Sequence, residues 1–436
     1  MKKLLLTALL LATGLGASAY DFKVDGIFYR YNDDGTSVTV DRDVQNPYSG
    51  KVVIPEKVTY SGRSYAVTSI VRWAFANCSA LEEVTIPNSV TNLEESVFND
   101  SKALKKVTLG NGIKSIESWT FSGCVSLAEV VIPEGVEEIQ SLAFQKCFAL
   151  ERIVLPASVT YVDAWAFVYC SSFKEYVVKP GNKTYTAKDG VLYRDNNTDL
   201  ISCPKGKSGV VVVPEGVKKI SWSAFYTCSK LTKVVIPNSV TYMQDYVFSE
   251  CTSLSSIEFP KGMKMIDSGM LSDCKSLTQV TFPDSVYYIG NWACANCTEL
   301  TQITLPAALT SLQNYIVQGC SKLSKVYCKA KKPVNINQYT FVDAPIATAT
   351  LYVPIGTKAA YAAAPYWKDF GAIVEKDFSK TPGDINGDGN VNVSDITALI
   401  NKILGTATYA DEVCDINADG AVNVSDVTAL INMILG

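Results

Sequence analysis

Near the C-terminus, acidic and amide residues fall on alternate positions. Asp384, Asn386 and Asp388 are followed by Gly389, then by Asn390, Asn392 and Asp395. Oxygen donors at positions 1, 3, 5, 7, 9 and 12 of a loop wrap the chain around one hard cation. Ca²⁺ takes six to eight such oxygens. Asp384, Asn386 and Asp388 would bind through side chains, Asn390 through its carbonyl and Asn392 through a water, with Gly389 making the turn and Asp395 closing the shell. The spacing returns 31 residues later in Asp415, Asn417, Asp419, Ala421 (by its carbonyl), Asn423 and Asp426, with Gly420 matching Gly389. Two Ca²⁺ ions are therefore expected. An apolar helical run follows each loop, from Ile396 to Leu404 and from Val427 to Leu435.

Other chemistry is poorly supplied. With no His in the chain, Ser-His-Asp and Cys-His nucleophiles are impossible. Cys294 and Cys297 form one C-x-x-C, but no second pair exists for a structural zinc site. The 13 cysteines are an odd number, and most should be free, buried, small apolar fillers. No enzyme is expected. From Asp384 onward the net charge is −7, which leaves +3 for the rest, so nothing points to nucleic acid.

The body of the chain is built on a 23-residue unit. Cys124, Cys147 and Cys170 share that period, as do Phe75, Phe98, Phe121, Phe144 and Phe167. Leu81, Leu104, Leu127 and Leu150 follow six residues after each Phe. One such unit cannot bury its apolar side alone, so stacked neighbours must cover it. Leu-x-x-Val-x-Ile should be a short strand of a parallel sheet, with Leu81, Val84 and Ile86 inward. A second extended piece should run from Val90 to Leu93. The wording IPxSVTxIxxxAFxxCxxLxxV resembles BspA-like leucine-rich repeats of bacterial surface proteins. That resemblance covers roughly Asp21 to Glu375 and implies a curved solenoid, surface display and adhesion, without catalytic residues.

The ends follow from the same logic. Met1 to Ala19 has Lys2 and Lys3, an apolar run and Ala17-Ser18-Ala19, as in a secretory signal peptide cleaved near Ala19. No stretch is long enough to be a transmembrane segment. Residues 20–70 alternate in polarity and should form a β-rich cap. Repeats fill 71–330, interrupted near 180–209 by a hairpin whose strands lie at Gly190–Tyr193 and Asp199–Ile201. A C-terminal cap at 331–378, a linker at 379–383 and a small all-α Ca²⁺-binding domain at 384–436 complete the chain.

Two surface columns are candidates for recognition. Glu83, Lys106, Glu129, Arg152 and Glu175 alternate in sign down one strand position. They are either a charged recognition face or an internal ladder of ion pairs, and the ladder is the simpler account. Two residues before the Phe position stand Trp73, Trp119, Trp165, Tyr246, Trp292 and Tyr315. These rings either form a row that stacks on sugars or a protein partner, or cover the edge of the core.

The tail loops fit an EF-hand-type pattern, except that Asp stands at position 12 and no entering helix is expected. Both departures resemble a type I dockerin. The resemblance implies a cohesin-like or other envelope protein as partner, met by Val393, Ser394 and Thr397 and by Val424, Ser425 and Thr428. The chain as a whole then reads as a secreted or surface-associated adhesion protein, its solenoid binding an unknown protein or glycan ligand. The alternative is a subunit of a dockerin-assembled complex that degrades polysaccharide or peptide.

Overall fold

The computed structural model describes residues 20–435, apart from Val44, Thr381, Pro382, Gly389 and Ala418. The expected signal peptide and the turn at Gly389 lie outside the described residues.

Alternating polarity makes the first ladder. In the strand Ala80–Thr85, Leu81 and Val84 are buried while Glu82 and Thr85 face water. Its neighbours one repeat on pair in parallel with a register of 23, Glu83 opposite Lys106 and Lys106 opposite Glu129. The series ends with Thr350–Pro354 and Ala372–Lys376, also parallel. A second parallel ladder consists of two-residue strands such as Asn92–Leu93, Ser115–Ile116 and Glu138–Ile139. It is shorter than the expected Val90–Leu93 piece, although Val90 is buried.

The third wall is made of turns. Phe75, Phe98, Phe121, Phe144 and Phe167 are fully buried, and successive rings stack 5.2, 5.3, 5.1 and 5.0 Å apart. That is close to one strand spacing per repeat. Main-chain bonds cross the repeats here as well. Ser96 N donates to Ser118 O (2.9 Å), Phe98 N to Thr120 O (2.8 Å) and Asp100 N to Ser122 O (2.8 Å). Such alternate pairing accompanies left-handed backbone at the first and fifth turn positions, with φ of 60° at Ser96 and 56° at Asp100. A non-glycine residue pays about 1–2 kcal/mol for that conformation, and Asn, Asp and Gly adopt it most easily. The fifth position follows the rule at Asn77, Asp100, Gly123, Asp273, Asn296 and Gly319. In four consecutive repeats it holds Lys146, Tyr169, Thr227 and Glu250 instead.

The cysteine column corrects the expectation of plain apolar filler. Cys124 Sγ donates to Phe98 O (3.1 Å), Cys147 to Phe121 O (3.2 Å) and Cys170 to Phe144 O (2.9 Å). Ser101, which takes the cysteine place in its own repeat, donates to Phe75 O. The column therefore supplies buried S–H or O–H donors to the turn above. Burial, then the bond to Cys170, pushes the Cys147 thiol well above its ordinary range, so it remains a donor. All 13 cysteines are free and buried.

Both ends of the stack are covered. Phe22–Val24, Ile27–Tyr31 and Ser37–Asp41 form an antiparallel meander. Its last strand runs parallel to Arg63–Ile70, which leads into the second ladder, while Ser49–Val53 starts the first. At the other end a short helix, Lys358–Ala363, buries Tyr361, whose hydroxyl donates to Ala330 O (2.8 Å). The expected hairpin gains a strand. Tyr185–Lys188, Val191–Arg194 and Asp199–Ser202 form an antiparallel meander. Asp195, Asn196 and Asn197 all turn with positive φ. The third strand then pairs in parallel with Lys219–Ile220, so the insert is woven into the second ladder.

Because each Phe ring touches its own copies above and below, Phe144→Asp should cost ~5 kcal/mol or more and melt several repeats together. A urea transition unchanged from wild type would refute this packing.

Candidate functional site

Both tail loops are organised by one buried carboxylate each. Asp395 is fully buried; its Oδ1 accepts from the main-chain N–H of Ile385 (2.8 Å) and Asn386 (3.1 Å), and its Oδ2 from Asn392 (2.9 Å). Asp426 repeats this with Ile416 (2.8 Å), Asn417 (3.2 Å) and Asn423 (2.8 Å). Three main-chain N–H groups thus converge on each carboxylate and fix the course of its loop. Asn392 and Asn423 then cap the helices Val393–Ile403 and Val424–Leu435, each accepting a 2.8 Å bond from a Ser N–H.

The remaining loop residues are mostly exposed and bond to one another. Asp388 accepts from Asn390 N (2.9 Å) and Asn386 Nδ2 (3.1 Å), and these bonds, in that order, hold its carboxyl below the usual range. Asp419 accepts from Ala421 N (2.9 Å) and Asn417 Nδ2 (2.9 Å), and Asp415 accepts from Asp419 N (3.1 Å) and Gly420 N (2.9 Å). Among the described residues no three acidic or cysteine side chains converge into a metal-binding group. The donor set nonetheless suits a hard cation, since carboxylate, amide and carbonyl oxygens alternate along a closed loop.

A one-turn helix, Asp411–Cys414, precedes the second loop, against the expectation of no entering helix. Lys402, near the end of the first long helix, pairs with Asp411 at 2.9 Å. The small core beneath contains Ile385, Leu399, Val413, Cys414 and Leu430.

In the solenoid, the aromatic column divides. Trp73, Trp119 and Trp292 are about two-fifths exposed, while Trp165, Tyr246 and Tyr315 are half-buried. Arg42 and Arg72 lie over Trp73, 5.4 and 5.2 Å from its ring centre. Trp292 stacks on Tyr315 at 5.5 Å. The Tyr246 ring lies where Gly269 would carry a Cβ, only 2.3 Å from that position. Trp165 leaves the column to stack on Trp222 at 4.7 Å, and its Nε1 donates to Ser223 Oγ (3.1 Å).

Comparison with known proteins fits this architecture. A model of the BspA type leucine-rich repeat region matches residues 55–174 and 218–348, in six copies. The chain belongs to the BspA-type leucine-rich repeat family. A dockerin type I domain model matches residues 382–435. Among solved structures, the pneumococcal vaccine antigen PcpA aligns over 83% of this chain and 100% of its own, at 20% identity and a TM-score of 0.67. A leucine-rich cell surface protein of Faecalibacterium prausnitzii aligns over 72% and 95%, at 24% identity and a TM-score of 0.51. At these identities the likeness shows the fold. No curated protein matches the chain.

On the sheet of the BspA-type solenoid, the alternating column closes into ion pairs only at its two ends among the described residues. Lys51 meets Glu83 at 3.0 Å and Arg152 meets Glu175 at 3.5 Å. The adjacent column pairs too, Glu82 with Lys105 (3.6 Å) and Glu151 with Lys174 (3.0 Å). All are solvent-exposed, so each contributes ~0–1 kcal/mol and serves mainly register. On the dockerin helices, Val393, Ser394 and Thr397 are exposed, and so are Val424, Ser425 and Thr428. The same helix faces continue beyond the expected contact residues, through Ile400 and Leu404 and through Ile431 and Leu435, all exposed. Spacings of 4, 3 and 4 residues would have revealed this stripe.

Trp165 and Trp119 of the column should behave differently. Trp165→Ala should cost about 2 kcal/mol, below the ~3–5 kcal/mol of a fully buried ring, because it loses the Trp222 stack and the Ser223 bond. Trp119→Ala should cost under ~1 kcal/mol. Urea midpoints of the two variants check the order, and equal shifts would contradict it.

Proposed function

We propose that this chain is a secreted or surface-associated binding protein. Its solenoid recognises a protein or glycan ligand, and its dockerin holds two Ca²⁺ ions and docks on a cohesin-type partner. The proposed ligands of the first ion are Asp384, Asn386, Asp388, Asn390, Asn392 and Asp395. Those of the second are Asp415, Asn417, Asp419, Ala421, Asn423 and Asp426. Met1 to Ala19 would direct export. Among the described residues no helix is long and apolar enough to cross a membrane.

The observation that carries this reading is the duplicated helix face. Val393, Thr397, Ile400 and Leu404 on one helix match Val424, Thr428, Ile431 and Leu435 on the other, and Val393 and Val424 are 67% and 69% exposed. Exposed apolar stripes of this kind mark protein interaction surfaces. Bound Ca²⁺ would neutralise the acidic loops that aim these helices, which links tethering to the metal. The solenoid offers stacked rings, ion-paired strand faces and no nucleophile–base pair built on His, which supports binding over catalysis.

Calorimetry on the full chain should show two Ca²⁺ ions bound. Asp388→Ala should remove one and Asp419→Ala the other, and Mg²⁺ should substitute poorly because it demands a tight octahedron. Chelator should release immobilised cohesin-type domains. Val393→Asp with Val424→Asp should abolish capture by those domains while leaving Ca²⁺ uptake intact. A chain that takes up no Ca²⁺, or binds its partner equally in chelator, would overturn the proposal.

A further inference from the structure

The step from Cys170 to Cys228 spans 58 residues instead of 23, so the insert brings two repeats that are distant in sequence face to face. Side chains bridge them: Trp165 Nε1 to Ser223 Oγ at 3.1 Å, and Tyr169 N to Thr227 Oγ1 at 3.4 Å. A groove of about 240 Å³ lies across this junction on the turn wall. Lys146, Tyr169, Thr227 and Glu250 form one side, and Phe148, Ser171, Ser229 and Thr252 the other. The first side is the run of four fifth-position residues that break the Asn, Asp and Gly habit of the other repeats. Left-handed backbone is disfavoured for Lys, Tyr and Glu, and most of all for β-branched Thr227. Strain retained at neighbouring positions points to a site.

The groove is preorganised. Tyr226 Oη donates to Glu250 Oε1 (2.9 Å), and Tyr169 Oη donates to the same oxygen (3.1 Å). Burial holds both phenols above their ordinary range, so they stay donors. Oε2 of Glu250 has no hydrogen-bond partner among the described residues. The Trp165–Trp222 stack backs Tyr226, whose ring centre lies 6.0 Å from that of Trp165. At the rim, Phe148 is 43% exposed in a chain whose other repeat phenylalanines are buried.

We infer that this groove binds one neutral pyranose ring of a glycan. The inference rests on the recognition role proposed for the solenoid and names its ligand class. Ligand pockets for drug-sized molecules begin at about 300 Å³, so this volume suits a single ring. Phe148 offers an apolar face for the C–H side of a sugar. Glu250 Oε2 accepts from a sugar hydroxyl, Lys146 donates to another, and the Ser and Thr hydroxyls line the remainder. One carboxylate and one ammonium balance in charge. An acidic sugar would meet Glu250, and a basic peptide side chain would meet Lys146, so a neutral polyol fits best.

Saturation-transfer NMR on the full chain tests this with millimolar methyl glycosides of glucose, galactose, mannose and N-acetylglucosamine. At least one should receive saturation, and Phe148→Ala and Glu250→Gln should each weaken binding at least tenfold. Phe148→Tyr should retain it. Phe148 lies at the surface and Gln still accepts from both tyrosines, so both loss variants should keep the wild-type circular dichroism. Absence of transfer to all four glycosides overturns the inference, as does undiminished binding by Phe148→Ala or stronger binding of methyl glucuronide or a lysine peptide. A solenoid that captures a protein ligand but takes up no pyranoside sinks the groove alone and leaves the recognition role standing.

Discussion

In a stack that advances by one strand spacing, the nearest neighbour of a side chain is the residue at the same place in the next repeat. That constraint shapes most of this molecule. A charge repeated in register would repel itself, so Glu83, Lys106 and Glu129 alternate along the strand ladder. A benzene ring repeated in register stacks, as Phe98, Phe121 and Phe144 do. A small donor repeated in register can serve the carbonyl one layer away, which is what Cys124, Cys147 and Cys170 do. Ser101 shows that the column selects a donor, since a hydroxyl replaces a thiol there without loss of the bond.

The same constraint makes the ends and the interruption costly. A terminal repeat would expose a strand edge and a slab of core, so the N-terminal meander feeds both ladders and the C-terminal cap buries Tyr361 of the helix Lys358–Ala363 and Trp367 of the short turn after it. The insert meets the problem inside the stack. Its third strand continues the second ladder, and Lys205, fully buried, donates to Ser223 O (3.4 Å) and Ala224 O (3.2 Å). Unlike residues then face one another across the junction, and only there does the turn wall gather Tyr169, Tyr226 and Glu250 into one hydrogen-bonded group.

The tail obeys a different rule. Its two copies are too small to stack and share a core of a few residues around Leu399 and Leu430. Local bonding replaces repetition. Asp395 and Asp426 each draw three loop N–H groups onto one buried carboxylate, which shapes the loop and sets the start of the helix. A module held by so little apolar contact is the part of the chain where a bound cation changes stability most.

Periodicity by itself determined the solenoid, its register and its inward residues, because a period of 23 with Phe, Cys and Leu in phase has few other physical solutions. Asp and Asn at alternate places likewise determined the two loops and the helices after them. Tertiary structure decided what depends on neighbours in space. The left-handed turns at Trp73 and Trp119 follow no local preference of tryptophan, and arise because alternate N–H groups must reach the next repeat. Trp165 reads as a column member, yet its ring turns to Trp222, 57 residues away, since the insert changes which repeat lies beside it. The thiol-to-carbonyl bonds span 26 residues, three more than the period, so they join different positions of the repeat and the 23-residue phase does not show them. The meeting of Tyr169 and Tyr226 at Glu250 joins three layers, and only the folded stack brings those layers together.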